Sequence, residues 1–168
     1  MISVYIDTNC INAKQNIDAL NELEQLYNDG KILIKKTDTL DTELKEGGGY
    51  HKGLKKSLNY IESYGPAVID HSRLDFSIVG DDGDDERLSK VLSILWGIKA
   101  RANYSKREIR DAMHVSTAIR YGGTYFVTQE KAVLAKAEEI KKEFGIVICN
   151  PVSCLSLVKE YLRKYDNY

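Results

Sequence analysis

Four short apolar runs, ISVYI (2–6), KILIK (31–35), TYFVT (124–128) and IVIC (146–149), constrain the fold of this chain more than any other feature. A strand with one wet face alternates apolar and polar residues, whereas a continuous β-branched and aromatic run suits a strand buried on both faces. Helical spacing fills the intervals. Residues 16–30 set Ile17, Leu20, Leu23, Leu26 and Tyr27 on one face and stop at Gly30, a suitable C-terminal cap. A short helical stretch through TDTLDTELKE follows the second run and ends at Gly47–Gly49. Another helix is predicted over 50–64, and Gly65-Pro66 interrupts the chain before an extended piece, LDFSIV. Further helices are predicted over 87–100, 105–123, 130–145 and 151–165. Ser105 and Glu108 stand in capping-box spacing, and Pro151 opens the last helix. The acidic run DDGDDE (81–86) is predicted to be a solvated loop. Its acids are adjacent and its glycine comes too early for a calcium loop. Strands alternating with helices predict an α/β fold, a three-layer α/β/α arrangement on a mostly parallel sheet of four to five strands.

At 168 residues, of which 43% are hydrophobic, the chain supplies one sizeable core, so a single domain over 1–168 is expected, with a helical elaboration around 50–104. The longest apolar run, VLSILWGI, is too short to span a bilayer, and MISVYID has no basic leader, so a cytoplasmic protein without a membrane partner is expected. Cys10, Cys149 and Cys154 form no CxxC pair and are predicted to be buried thiols. With a net charge of −1, any contact with nucleic acid has to use local patches. Lys52, Lys55 and Lys56 form one such patch, and Arg101, Lys106, Arg107 and Arg110 another; Tyr50 and Tyr104 adjoin them as candidate stacking surfaces. Ordinary solvated helix faces account for the same residues equally well.

In an open parallel sheet the ligand crevice lies beyond the carboxyl ends of the strands. Asp7 directly follows the first run, Glu130 follows TYFVT, Glu43 lies in the helical stretch after KILIK, and Asp111 lies on the helix leading into TYFVT. Taken singly each has a structural use: Asp7 in a turn, Glu43 on a solvated face, Asp111 paired along its helix, Glu130 at a helix start. Together they would be strained, since two carboxylates roughly 4 Å apart repel by about 4 kcal/mol at an effective dielectric of about 20. Mg²⁺ or Mn²⁺, which prefer hard oxygen ligands, would relieve that strain. His114, three residues after Asp111, is expected to point into the core, with donation to the carboxylate as its other use.

The segments VYIDTN, TELKEG, RDAMHVSTAIRYGGTYFVTQEK and IVICNPVSCLSLV resemble the PIN-domain nucleases, over nearly the whole chain apart from 50–104. The resemblance implies a PIN-like fold and a Mg²⁺- or Mn²⁺-dependent ribonuclease in which Asp7, Glu43 and Asp111 are the first three acids. It implies hydrolysis by metal-activated water without a covalent intermediate. Where the family presents an aspartate after the strand threonine, this chain has Gln129 and then Glu130, so a longer acid takes the fourth place. Thr8, Asn9 and Thr128 match polar residues that support the ligand shell or the scissile phosphate. RNA is the implied substrate, an antitoxin protein and a second copy of the chain the implied partners. Extra length over the compact toxins leaves RNA processing as another role. The alternative of a catalytically silent scaffold that binds RNA or protein draws on Gln129 and the glutamate that follows. A phosphatase with an aspartyl nucleophile would put a second aspartate at position 9, which is Asn9.

Overall fold

The computed structural model describes residues 1–11, 14–46, 51–72 and 77–165. Five strands, β1 (Ile2–Ile6), β2 (Ile32–Thr37), β3 (Ile61–Ser63), β4 (Tyr125–Val127) and β5 (Val147–Cys149), form one sheet in the order β3-β2-β1-β4-β5. Every pairing is parallel, with Val4 opposite both Ile34 and Tyr125. The four apolar runs are therefore strands, as their composition predicts. All five residues of β1 are buried because β1 is the central strand with helices on both faces.

The strand pleat sends alternate side chains into two cores. Val4 and Ile6 meet Leu20 and Leu23 of α1 (Asp18–Asn28) and Val158 of α8 (Pro151–Tyr165). Tyr5 and Phe126 meet α4 (Asp82–Trp96), α5 (Lys106–Arg120) and Ile140 of α7 (Ala137–Phe144). The expected three-layer α/β/α arrangement results. α2 (Asp38–Glu46) continues directly from β2, and α3 (His51–Ser57) packs against it through Ser57, whose hydroxyl donates to Asp41 at 3.1 Å. The three cysteines are buried and form no disulfide. Among the described residues, no helix is long and apolar enough to cross a membrane.

Three predicted elements differ. The helix expected over 50–64 is α3 followed by the edge strand β3, whose Ile61 is exposed. The run DDGDDE is not a loop but the first turns of α4. Asp81 caps the helix by accepting from the Asp84 backbone N–H at 2.9 Å, Asp84 returns the bond, and the remaining acids sit where the helix dipole favours them. Asp84 is buried and ion-paired with both Arg87 and Arg120, which ties α4 to α5. The helix expected over 130–145 is broken into α6 (Lys131–Leu134) and α7. Gly47–Gly49 and Tyr50 lie outside the described residues, as do Leu74, Asp75 and Phe76 of LDFSIV; Ile78 in its second half makes an isolated parallel bridge to Pro66.

Candidate active site

The sheet order reverses at β1: the chain goes from β1 outward to β2 and β3, then returns to place β4 on the other side. That switch leaves a crevice between the carboxyl ends of β1 and β4, where side chains from adjacent strands reach each other across open space. Asp7 stands there. Its backbone N–H donates to the Val127 carbonyl at 2.9 Å, and the Thr128 hydroxyl donates to Asp7 Oδ2 at 2.6 Å. The Thr8 backbone N–H donates to Oδ1 at 2.7 Å and starts a short 3-10 turn, Thr8–Cys10.

Around this carboxylate, α2 supplies Glu43 and α5 supplies His114. Among the described residues, Asp7, Glu43 and His114 form the one group whose carboxylate oxygens and ring nitrogen all lie within 4.8 Å of one another. His114 Nε2 is 3.1 Å from Glu43 Oε2 and 3.9 Å from Asp7 Oδ1, while Nδ1 is 2.6 Å from the Thr37 hydroxyl at the end of β2. The Thr8 hydroxyl donates to Glu43. His114 is thus both a core residue and a partner of the acids. Its carboxylate contacts are with Glu43 and Asp7.

Asp111 stands one helical turn before His114. Its Oδ2 is buried and has no hydrogen-bond partner among the described residues, an arrangement that costs free energy unless something else satisfies it. Burial, then the charges of Asp7 and Glu43, raise the Asp111 carboxyl from 3.8 to about 7, against the opposing pull of His114 and Arg107. Asp7 is also raised, first by burial, although His114 and the Thr128 hydroxyl pull it back. For Glu43, burial acts upward, but the charge and hydrogen bond of His114 and the Thr8 hydroxyl outweigh it, and the net direction is down. Burial disfavours the imidazolium of His114, yet Glu43, Asp7 and Asp111 together raise it to about 9. Three acids and one cation therefore share a single electrostatic pocket. An orphaned carboxylate oxygen beside two more carboxylates is an oxygen donor set that fits a hard divalent cation.

The other predicted positions take up supporting places. Thr128 holds Asp7 and accepts from Asn9 Nδ2 at 3.2 Å and from the Glu130 backbone N–H at 3.0 Å. Asn9 Oδ1 accepts from the Gln129 backbone N–H at 3.0 Å, and Gln129 Nε2 donates to the Asn9 carbonyl at 2.9 Å, so the ends of β1 and β4 are laced together. Glu130 is not within the cluster. It stands at the residue before α6, where Arg107 pairs with its carboxylate. Arg110, predicted as a phosphate contact, is buried and grips Glu46 through both terminal nitrogens at 2.6 and 2.8 Å, which locks α2 to α5. Lys56 pairs with Glu24 at 2.8 Å. Lys52 and Lys55 are exposed. Thr37 and His114 are the members of the site that sequence reasoning did not assign; the spacing of His114 from Asp111 is the signal for one, and the other carries none.

A cavity of about 630 Å³ lies on the opposite side of α5, bounded by residues 66–71 and α4. Asp7, Glu43 and Asp111 do not line it, and the acid chemistry lies in the crevice instead.

No protein-family model and no curated protein sequence matches the chain. Among solved structures, a chain of VapBC2 from Rickettsia felis, crystallised bound to a DNA fragment from their promoter, is similar in fold. It has a TM-score of 0.50 and 14% identity, and the match covers 89% of this chain and 98% of that one. The fold is PIN-like, and the resemblance to the PIN-domain nucleases is borne out in the architecture.

Proposed function

From a PIN-like fold with its acids at the sheet's switch point, we propose that this chain is a Mg²⁺- or Mn²⁺-dependent ribonuclease. The observation that carries the reading is the crevice itself: Asp7 and Glu43 within 4.8 Å of each other and of His114, beside the unpartnered buried oxygen of Asp111. Asp7, Glu43 and Asp111 are the residues that would hold the cation. When bound, a divalent cation polarises a phosphodiester oxygen and lowers the pKa of a coordinated water, so that hydroxide is available near neutral pH. The chain's own residues prepare that chemistry. Thr128 fixes the Asp7 rotamer, Thr8 and His114 fix Glu43, and Thr37 orients the imidazole. Glu130, drawn to the rim by Arg107, stands outside the ligand set, so three acids carry the site.

The likeness to a chain of VapBC2 supports a toxin of a toxin–antitoxin pair as the biological role, with an antitoxin protein as partner. A second reading, a catalytically silent scaffold, draws on His114, which already offers a cation to the acids from within.

Cleavage of single-stranded RNA separates the two. The nuclease reading expects cleavage in Mn²⁺ or Mg²⁺, none in EDTA, and loss of at least about 100-fold in Asp7→Asn, as when a group that positions a catalytic metal is removed. Absence of cleavage with every cation supports the scaffold. Equal cleavage by wild type and Asp7→Asn overturns the assignment of Asp7.

A further inference from the structure

A polar groove of about 410 Å³ runs between α1 and α3 on one flank of the sheet, lined by Gln15, Tyr27, Lys52, Lys55, Asn59 and Tyr60. Its one carboxylate, Glu24, is answered from inside by Lys56 at 2.8 Å and by the Tyr60 hydroxyl at 2.5 Å. The charge the groove presents outward is therefore that of Lys52 and Lys55. Both are exposed, and neither makes an ion pair with a described residue. They stand three residues apart on α3, so they are neighbours along one helix face.

One end of the groove, at Lys52, lies on the turn of α3 that packs against the chain beside two of the acids. Gly53 lies so close to the preceding chain that a Cβ there would come within 3.3 Å of Leu44 Cδ2 and 3.5 Å of Ile11 Cγ2. Leu44 follows Glu43, and Ile11 closes the turn that Asp7 begins. The first turn of α3, which carries Lys52, thus abuts the segments that present Asp7 and Glu43. From there α3 leads to β3, which begins at Ile61, so the groove passes from the carboxyl ends of the strands towards their amino ends.

We propose that this groove is a track for single-stranded RNA leading away from the acid site, with Lys52 and Lys55 on its phosphates. The proposal rests on the ribonuclease reading and extends it to how the strand is held. The exposed lysines suit the phosphates, and Gln15 and Asn59, with Asn28, each offer a donor and an acceptor to match a base edge.

The test measures binding of a labelled single-stranded oligoadenylate by fluorescence anisotropy across a salt series, in EDTA so that no turnover occurs. Each phosphate contact on a single strand contributes about −0.7 to the log–log salt slope, so Lys52→Gln/Lys55→Gln is expected to flatten it by about 1.4 and weaken binding roughly tenfold near 0.1 M salt. Lys90→Gln/Lys142→Gln, the same charge change on α4 and α7, is expected to leave the slope alone, and both variants should unfold at the wild-type temperature. An unchanged slope in Lys52→Gln/Lys55→Gln, or equal flattening in the remote pair, overturns the track. Loss of polyglutamate binding with RNA binding intact assigns the groove to an acidic peptide and also overturns it. Lysine-dependent binding by a protein that cleaves nothing would instead remove the nuclease reading and keep the track.

Discussion

Replacing Asp111 with asparagine is expected to stabilise the metal-free protein at neutral and alkaline pH. Burial, reinforced by Asp7 and Glu43, raises this carboxyl from 3.8 to about 7. An acid raised in the folded state takes up a proton on folding, so stability is lost as pH rises from about 4 to about 7, and the penalty is complete above that. The displacement corresponds to about 4 kcal/mol at about 1.4 kcal/mol per pH unit, and solvent screening of this half-buried group brings it to about 2 kcal/mol. Removing the charge also eases Asp7, which acts in the same direction. Guanidinium unfolding in EDTA near pH 4.5 and pH 8 reads the effect. Between those conditions wild type should lose about 2 kcal/mol relative to Asp111→Asn. Saturating Mn²⁺ should return most of that loss to wild type and little to the variant. Parallel pH profiles for the two proteins would mean that Asp111 is not the strained charge.

Three further perturbations test the supports of the site. Thr128→Val removes the hydroxyl that holds Asp7 and is expected to lower Mn²⁺ affinity by about 10- to 100-fold in a calorimetric titration; wild-type affinity would contradict it. His114→Phe leaves Glu43 without its buried partner and is expected to cost about 3 to 5 kcal/mol below pH 6.5. Since the imidazole is raised from 6.5 to about 9, that stabilisation is lost as pH rises through about 9, so the difference between variant and wild type should narrow there; a difference independent of pH would contradict it. Gly65→Ala would put a Cβ 2.5 Å from Thr117 Oγ1 and 3.2 Å from Asp38 Oδ1, beside the 3.0 Å bond from the Gly65 N–H to Asp38, and is expected to cost about 1 to 3 kcal/mol in chemical unfolding; an unchanged midpoint would contradict it.

Four of the five strands, β1, β2, β4 and the edge strand β5, were legible because burial on both faces writes a continuous apolar run. β3 was not: unlike β5, the other three-residue edge strand, it has Ile61 exposed and Glu62 half-buried and so writes no such run, and its neighbours carry helical spacing. The acidic run at 81–86 misled for a local reason. Adjacent carboxylates suit water, but they suit a helix amino terminus as well, and the arginines that neutralise Asp84 come from 87 and 120. The break between α6 and α7 falls at Ala135-Lys136, where neither glycine nor proline announces it. In the crevice, Asp7, Glu43 and Asp111 were recoverable from their positions after strands or along the helix entering β4. That Arg107 draws Glu130 away, that Glu46 occupies Arg110, and that His114 joins Asp7 and Glu43 are facts of packing between α2, α5 and the end of β4, and spacing along one chain does not record them.

Anomalous scattering from a crystal grown with Mn²⁺ would locate the cation itself. A peak is expected in the crevice at ligating distance, about 2.1 Å, from oxygens of Asp7, Glu43 and Asp111, and none is expected in Asp7→Asn. A crevice without a peak at saturating Mn²⁺, with Glu43 still bonded only to His114 and Thr8, would contradict a cation held by these acids.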